Sequence, residues 1–114
     1  MPRLADTTDR LAMRVASGNA THFQKELLGS ILLDAAKGAA LSAVSSGILR
    51  RCDADDAASI AAIKAWCKLS EFKAGKAGLK TWVSAITQRV VGDFRRQYAK
   101  DATHIDDDAD LNRL

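Results

Sequence analysis

The chain has 114 residues, 47% hydrophobic and 5% aromatic, with a formal net charge of +3. That length serves one domain with one modest core. The single proline is Pro2, no Asn-Gly or Asp-Gly turn occurs and no run alternates over strand lengths, so a β fold is excluded and an all-α fold is expected.

The first helix is expected over about Asp9 to Ser17, with Leu11 and Val15 on one face. Gly18-Asn19 breaks it, and Asn19 or Thr21 is placed to cap the next helix. That second helix carries a core stripe of Phe23, Leu27, Leu28, Ile31, Leu32 and Ala35, and Gly38 marks its expected end. A third segment follows over roughly Ala39 to Arg51, where Ala43, Ser45, Ser46 and Gly47 permit close helix approach. Asp53 reads as the N-cap of a fourth helix, with Asp55 and Asp56 where the helix dipole favours negative charge. The helix continues through Ile60, Ile63 and Trp66; Trp66 reads as a core aromatic and Cys67 as a small core residue.

Residues 71–78 read as a loop holding Phe72, Lys73 and Lys76; Phe72 suits either the core or stacking on a base. The last helix runs from Leu79 to about Lys100. Leu79, Trp82, Val83, Ile86, Val90 and Phe94 form one apolar stripe, and Lys80, Ser84, Gln88 and Arg95 fall on another side, interrupted by Val91. Arg89 and Asp93, four apart, suit a surface ion pair. The expected organisation is a helical domain over residues 1–100 and a flexible acidic tail over 101–114.

Charge is unevenly placed. Lys64 to Lys100 holds nine Lys or Arg residues against Glu71 and Asp93, whereas the segment from Asp101 holds five aspartates against Arg113. A basic body points to a polyanionic partner. Lys80, Gln88, Arg95 and Arg96 on the last helix are the candidate donors to phosphates and base edges.

Other functions lack their residues. Cys52 and Cys67 have no zinc-ligand spacing, and His22 and His104 have no nearby ligand partners, so no metal or other cofactor is expected. No nucleophile–base arrangement or phosphate-binding glycine loop occurs, so no enzyme is expected. The longest uncharged stretch, Gly38 to Leu49, is shorter than the ~20 residues of a membrane span. Asp6, Asp9, Arg10 and Arg14 interrupt any signal-like apolar region, and a cytoplasmic protein without membrane association is expected.

Several runs share an order with a known family. Asp9-Arg10-Leu11, Gly18-Asn19 and His22-Phe23 open the chain; Asp53-Ala54-Asp55-Asp56 leads through Ala65-Trp66; Leu69 and Phe72 follow. Leu79, Lys80, Trp82, Val83, Ile86, Asp93, Arg95 and Arg96 then complete the pattern. This order resembles the helical second region of bacterial sigma factors, closest to the small extracytoplasmic-function type, and covers about Asp9 to Lys100. The family run D-A-E-D-L-x-Q-E-x-F-x-x-A-W is matched with departures: Ser59-Ile60 replaces Gln-Glu, and Ala62 replaces Phe. On the last helix Arg89 stands in place of the family Asn.

The resemblance implies a compact bundle of four to five helices that takes part in transcription initiation. It implies promoter DNA, including a single strand, held by the loop and last helix through Lys73, Lys76, Lys80, Gln88, Arg89, Arg95 and Arg96. It also implies RNA polymerase core, or another protein subunit, docked on Asp53, Asp55, Asp56, Ser59, Ile60 and Ile63. The second helix-turn-helix domain of full sigma factors is not expected, so a stand-alone module working with a separate promoter-reading subunit is the leading expectation. Two alternatives stay open. One is a diverged DNA-binding regulator, with Ile60 contributing to a homodimer seam. The other is a polymerase- or partner-binding antagonist that mimics a sigma factor.

Overall fold

The computed structural model describes the backbone of residues 7–113 and the side chains of residues 7–102. Among the described residues four helices follow one another: α1 (Thr7–Ala16), α2 (His22–Ser45), α3 (Ala54–Cys67) and α4 (Leu79–Arg113). Short 3-10 turns at Arg51–Asp53 and Leu69–Glu71 flank α3, and no strand occurs among the described residues. The all-α bundle expected from the sequence is the observed fold. Helix α2 packs against the other three, and α3 also packs against α4.

Local chemistry sets the helix ends. Thr21 caps α2: its hydroxyl accepts from the Gln24 N–H, while the Gln24 side chain accepts from the Thr21 N–H. Gly18 and Gly47 terminate α1 and α2 with φ of +82° and +75°. Beyond Gly47 the Ile48 N–H reaches back to the Ala43 carbonyl, and beyond Gly18 the Asn19 N–H reaches the Arg14 carbonyl. Both are the left-handed glycine stop that satisfies the last carbonyls of a helix.

The expected break at Gly38 does not occur: residues 22–45 form one helix. Gly38 lacks the positive φ of the two stopping glycines and sits on the exposed side. Its propensity cost of about 1 kcal/mol is outweighed by the buried neighbours Ala35, Ala36 and Ala40. The merged helix is long and apolar enough, at a mean hydropathy of 1.5, to cross a membrane by length and composition alone. Here it is the central core helix, burying Leu28, Leu32, Ala35, Ala36, Ala40 and Ala43 against its neighbours. Phe23 and Leu27, expected in that core, are instead 71% and 43% exposed.

Helix α3 is turned the opposite way from its apolar stripe. Its buried face is Ala54, Ala57, Ala58, Ala61 and Ala65. Trp66 and Cys67, expected in the core, are exposed, Trp66 at 40%, and Ile60 and Ile63, the expected partner-contact residues, are exposed beside them at 40% and 64%. Against the alanines of α2, an alanine face lets two helices approach more closely than isoleucines would, so small residues fill the seam.

Helix α4 buries Leu79, Val83, Ile86, Val90 and the unexpected Val91, while Trp82, Phe94 and Tyr98 pack partly buried against the core. Its backbone continues past Lys100 to Arg113; side chains of the acidic segment beyond Ala102 lie outside the described residues. The start of α4 is tied to α1. Asp9 is fully buried, and its carboxylate accepts a hydrogen bond from the Leu79 N–H at 2.8 Å. This satisfies one otherwise orphaned donor and places negative charge at the positive end of the helix dipole.

Urea denaturation checks both features. Asp9→Ala leaves the Leu79 N–H without its partner and costs about 1–3 kcal/mol. Ala61→Leu overfills the seam and costs about 1–3 kcal/mol, whereas Ile63→Ser changes stability by no more than about 0.5 kcal/mol. The reverse order for the two α3 variants would contradict the assigned faces.

Candidate nucleic-acid interface

All seven predicted donors, Lys73, Lys76, Lys80, Gln88, Arg89, Arg95 and Arg96, are exposed. Helical spacing sorts those on α4 into two edges. Trp82, Arg89 and Arg96 recur every seven residues along one edge; Lys80, Ser84, Gln88 and Arg95 mark the other. Between them run small side chains, Thr81, Ala85 and Gly92, so an extended ligand can approach the helix backbone. The strip from Trp82 to Arg96 is about 21 Å long at the helical rise of 1.5 Å per residue.

Electrostatically the strip is cationic. From Leu79 to Lys100, α4 carries Lys80, Arg89, Arg95, Arg96 and Lys100 against Asp93 alone. The expected Arg89–Asp93 pair does not form; Asp93 pairs with Arg96 instead. Both partners are mainly exposed, at 71% and 55%. Such surface pairs contribute about 0–1 kcal/mol, so this one leaves the Arg96 guanidinium available. Arg89 and Arg95 make no ion pair among the described residues.

The loop adds an aromatic-walled cavity of about 410 Å³, lined by Glu71, Phe72, Lys73, Lys76, Ala77 and Trp82. A turn closed by the Lys76 N–H on the Lys73 carbonyl sets the two lysines at its rim. Phe72 is buried and packs on Trp82, with ring centroids 5.4 Å apart. The open question of Phe72 is therefore answered by the core, and the half-buried Trp82 supplies the accessible aromatic surface. Lys80 does not join this cavity; it borders another of about 380 Å³ with Thr8, Asp34 and Thr81.

The predicted partner-contact residues separate into two groups. Asp56, Ile60, Ile63 and Cys67 recur at steps of four, three and four, forming one exposed ridge of α3, with Asp55, Ser59 and Trp66 beside it. Trp66 and Cys67 are additions that the sequence hid by resembling core. Asp53 sits in the 3-10 turn that precedes α3 and is half-buried. Rather than capping α3, its carboxylate accepts the hydroxyl hydrogen of Tyr98.

Tyr98 is the residue that sequence reasoning missed. Its hydroxyl also accepts the Arg50 N–H at 3.1 Å, and the Arg50 guanidinium lies 4.2 Å from the ring centroid, within cation–π range. This cluster fastens α4 to the turn between α2 and α3. Partial burial first, and the hydrogen bond to Asp53 second, raise the Tyr98 pKa above its ordinary value of 10.0. No helical period could have announced contacts spanning 45 and 48 positions. Among the described residues no cluster of three or more His, Cys, Asp or Glu is placed to hold a metal ion.

Compared with protein-family models, curated proteins and solved structures, the chain finds no match.

Tyr98 is the only tyrosine, so ultraviolet titration of tyrosinate reads it directly. Its midpoint is expected above 10.0. A raised folded-state pKa stabilises fully below the unfolded value and is lost as pH rises through the folded one. Tyr98→Phe should therefore cost about 1 kcal/mol at neutral pH and lose stability less steeply than the parent above pH 10. Equal alkaline sensitivity of the two chains would contradict the assignment.

Proposed function

We propose that the chain is a sigma-region-two-like transcription module. The α4 strip and the 71–78 loop grip promoter DNA, and the exposed ridge of α3 docks a protein partner, either RNA polymerase core or a separate promoter-reading subunit. The observation that carries the nucleic-acid half is the two-edged cationic strip leading from an aromatic-walled cavity. Its donors are exposed and lie along a strip about 21 Å long.

The chemistry follows from the layout. Guanidiniums and ammoniums along both edges neutralise backbone phosphates. A base drawn from the stack enters beside Trp82, where aromatic stacking contributes about 1–3 kcal/mol per base. Lys73 and Lys76 hold the adjoining phosphates. An unwound strand fits better than a duplex, because its bases are already free to turn into the cavity. The apolar α3 ridge, separate from these donors, favours a protein surface as the second partner. The module acts by binding.

Fluorescence anisotropy with a single-stranded oligodeoxynucleotide tests this reading. Arg95→Ala with Arg96→Ala should weaken binding and lower the log–log salt slope by about 0.7 for each phosphate contact removed. Trp82→Ala should weaken single-strand binding with little change in slope. In a parallel capture assay, Ile63→Asp should abolish retention of RNA polymerase core or the partner subunit while sparing DNA binding. Partner capture by a chain that ignores DNA at low ionic strength would favour the antagonist reading and reject this one.

A further inference from the structure

The groove between α1 and α2 has no part in the proposed function. It encloses about 680 Å³ and is walled by Met13, Phe23 and Leu27, with Arg10 and Arg14 on the α1 side. Phe23 is 71% exposed and Met13 48%, a large apolar surface for a chain of this size. Among the described residues the remaining lining is uncharged, so two guanidiniums face the groove with no carboxylate among the described residues of its wall. An occupant suited to it carries apolar side chains and several carboxylates.

The chain contains such a segment. Residues 101–114 hold Asp101, Asp106, Asp107, Asp108 and Asp110 together with Ile105, Leu111 and Leu114. Geometry keeps it from its own groove. The buried contact of Asp9 with Leu79 fixes α1 at the start of α4. Residues 105–111 lie 26–32 positions further along the same continuous helix, about 39–48 Å away at 1.5 Å per residue. The acidic end of another molecule is under no such restraint.

We propose that the α1/α2 groove receives the Asp-rich C-terminal segment of a second copy of this chain. The arginines pair with its aspartates, and Phe23 and Met13 cover its aliphatic side chains. Two reciprocal contacts of this kind close a twofold dimer. The same association draws the acidic segments into a groove separate from the α4 strip.

The test uses the full chain and a fluorescent peptide of residues 100–114. The peptide should bind the parent chain, with affinity falling as salt rises. Arg10→Glu with Arg14→Glu should weaken it more than about tenfold, since like charges then face each other. A peptide with its aspartates replaced by lysine should recover binding to that double variant. Phe23→Ser should weaken the parent peptide without altering its salt dependence. Arg10, Arg14 and Phe23 are exposed, and circular dichroism checks that each variant keeps its helices. In sedimentation equilibrium, Asp106→Asn with Asp107→Asn and Asp108→Asn in the full chain should shift a concentration-dependent dimer toward monomer. A parent chain that stays monomeric at all concentrations would overturn the proposal. So would a dimer indifferent to these substitutions, which would use another face, or a peptide bound equally by the Arg10/Arg14 variant.

Discussion

The alanine seam between α2 and α3 is the constraint from which the rest of the arrangement follows. Ala36, Ala40 and Ala43 on one helix and Ala57, Ala58, Ala61 and Ala65 on the other are buried. Alanine forms helix with no side-chain entropy to lose, and its small volume brings two backbones close. That closeness excludes the larger side chains of α3. Ile60, Ile63 and Trp66 must then point outward, and the apolar ridge proposed as a protein-docking face is the direct result. Elsewhere the core uses larger residues, Leu28 and Leu32 from α2 and Val83, Ile86 and Val90 from α4.

Two polar contacts hold α4 on this scaffold. The buried Asp9 carboxylate holds its first turn, and Tyr98, bonded to Asp53 and Arg50, holds it some five turns later. Between them one side of α4 is buried and the other carries the cationic strip. Rigid support matters for binding, because side chains already in place lose less freedom when a ligand arrives. The Tyr98 cluster also joins the strip to the turn that begins α3, so the two proposed binding faces share one mechanical connection.

The all-α class, the loop and the apolar stripe of α4 were legible because they rest on helical periodicity and glycine chemistry. Exposure of the six lysine and arginine candidates was also foreseeable, since these residues resist burial. The orientation of α3 was not. Periodicity weights tryptophan above alanine, so Trp66 was read as core and the alanine face was missed, although Ile60 and Ile63 were expected to meet a partner. The same bias placed Phe23 and Leu27 inside. Gly38 misled because a glycine ends a helix only where the backbone turns left-handed, as at Gly47 and not at Gly38. Asp9 and Tyr98 were silent because their partners lie 70 and 45 residues away.

The central claim is that this scaffold sorts its surface into a nucleic-acid strip on α4 and a separate protein face on α3. Amide chemical-shift mapping during titration with a short single-stranded oligodeoxynucleotide tests it most directly. The account predicts perturbations concentrated at Lys73, Lys76 and Trp82 and along Gln88 to Arg96, with Ile60, Ile63 and Cys67 unmoved. Perturbations centred on the outer ridge of α3, or none at low ionic strength, would contradict it.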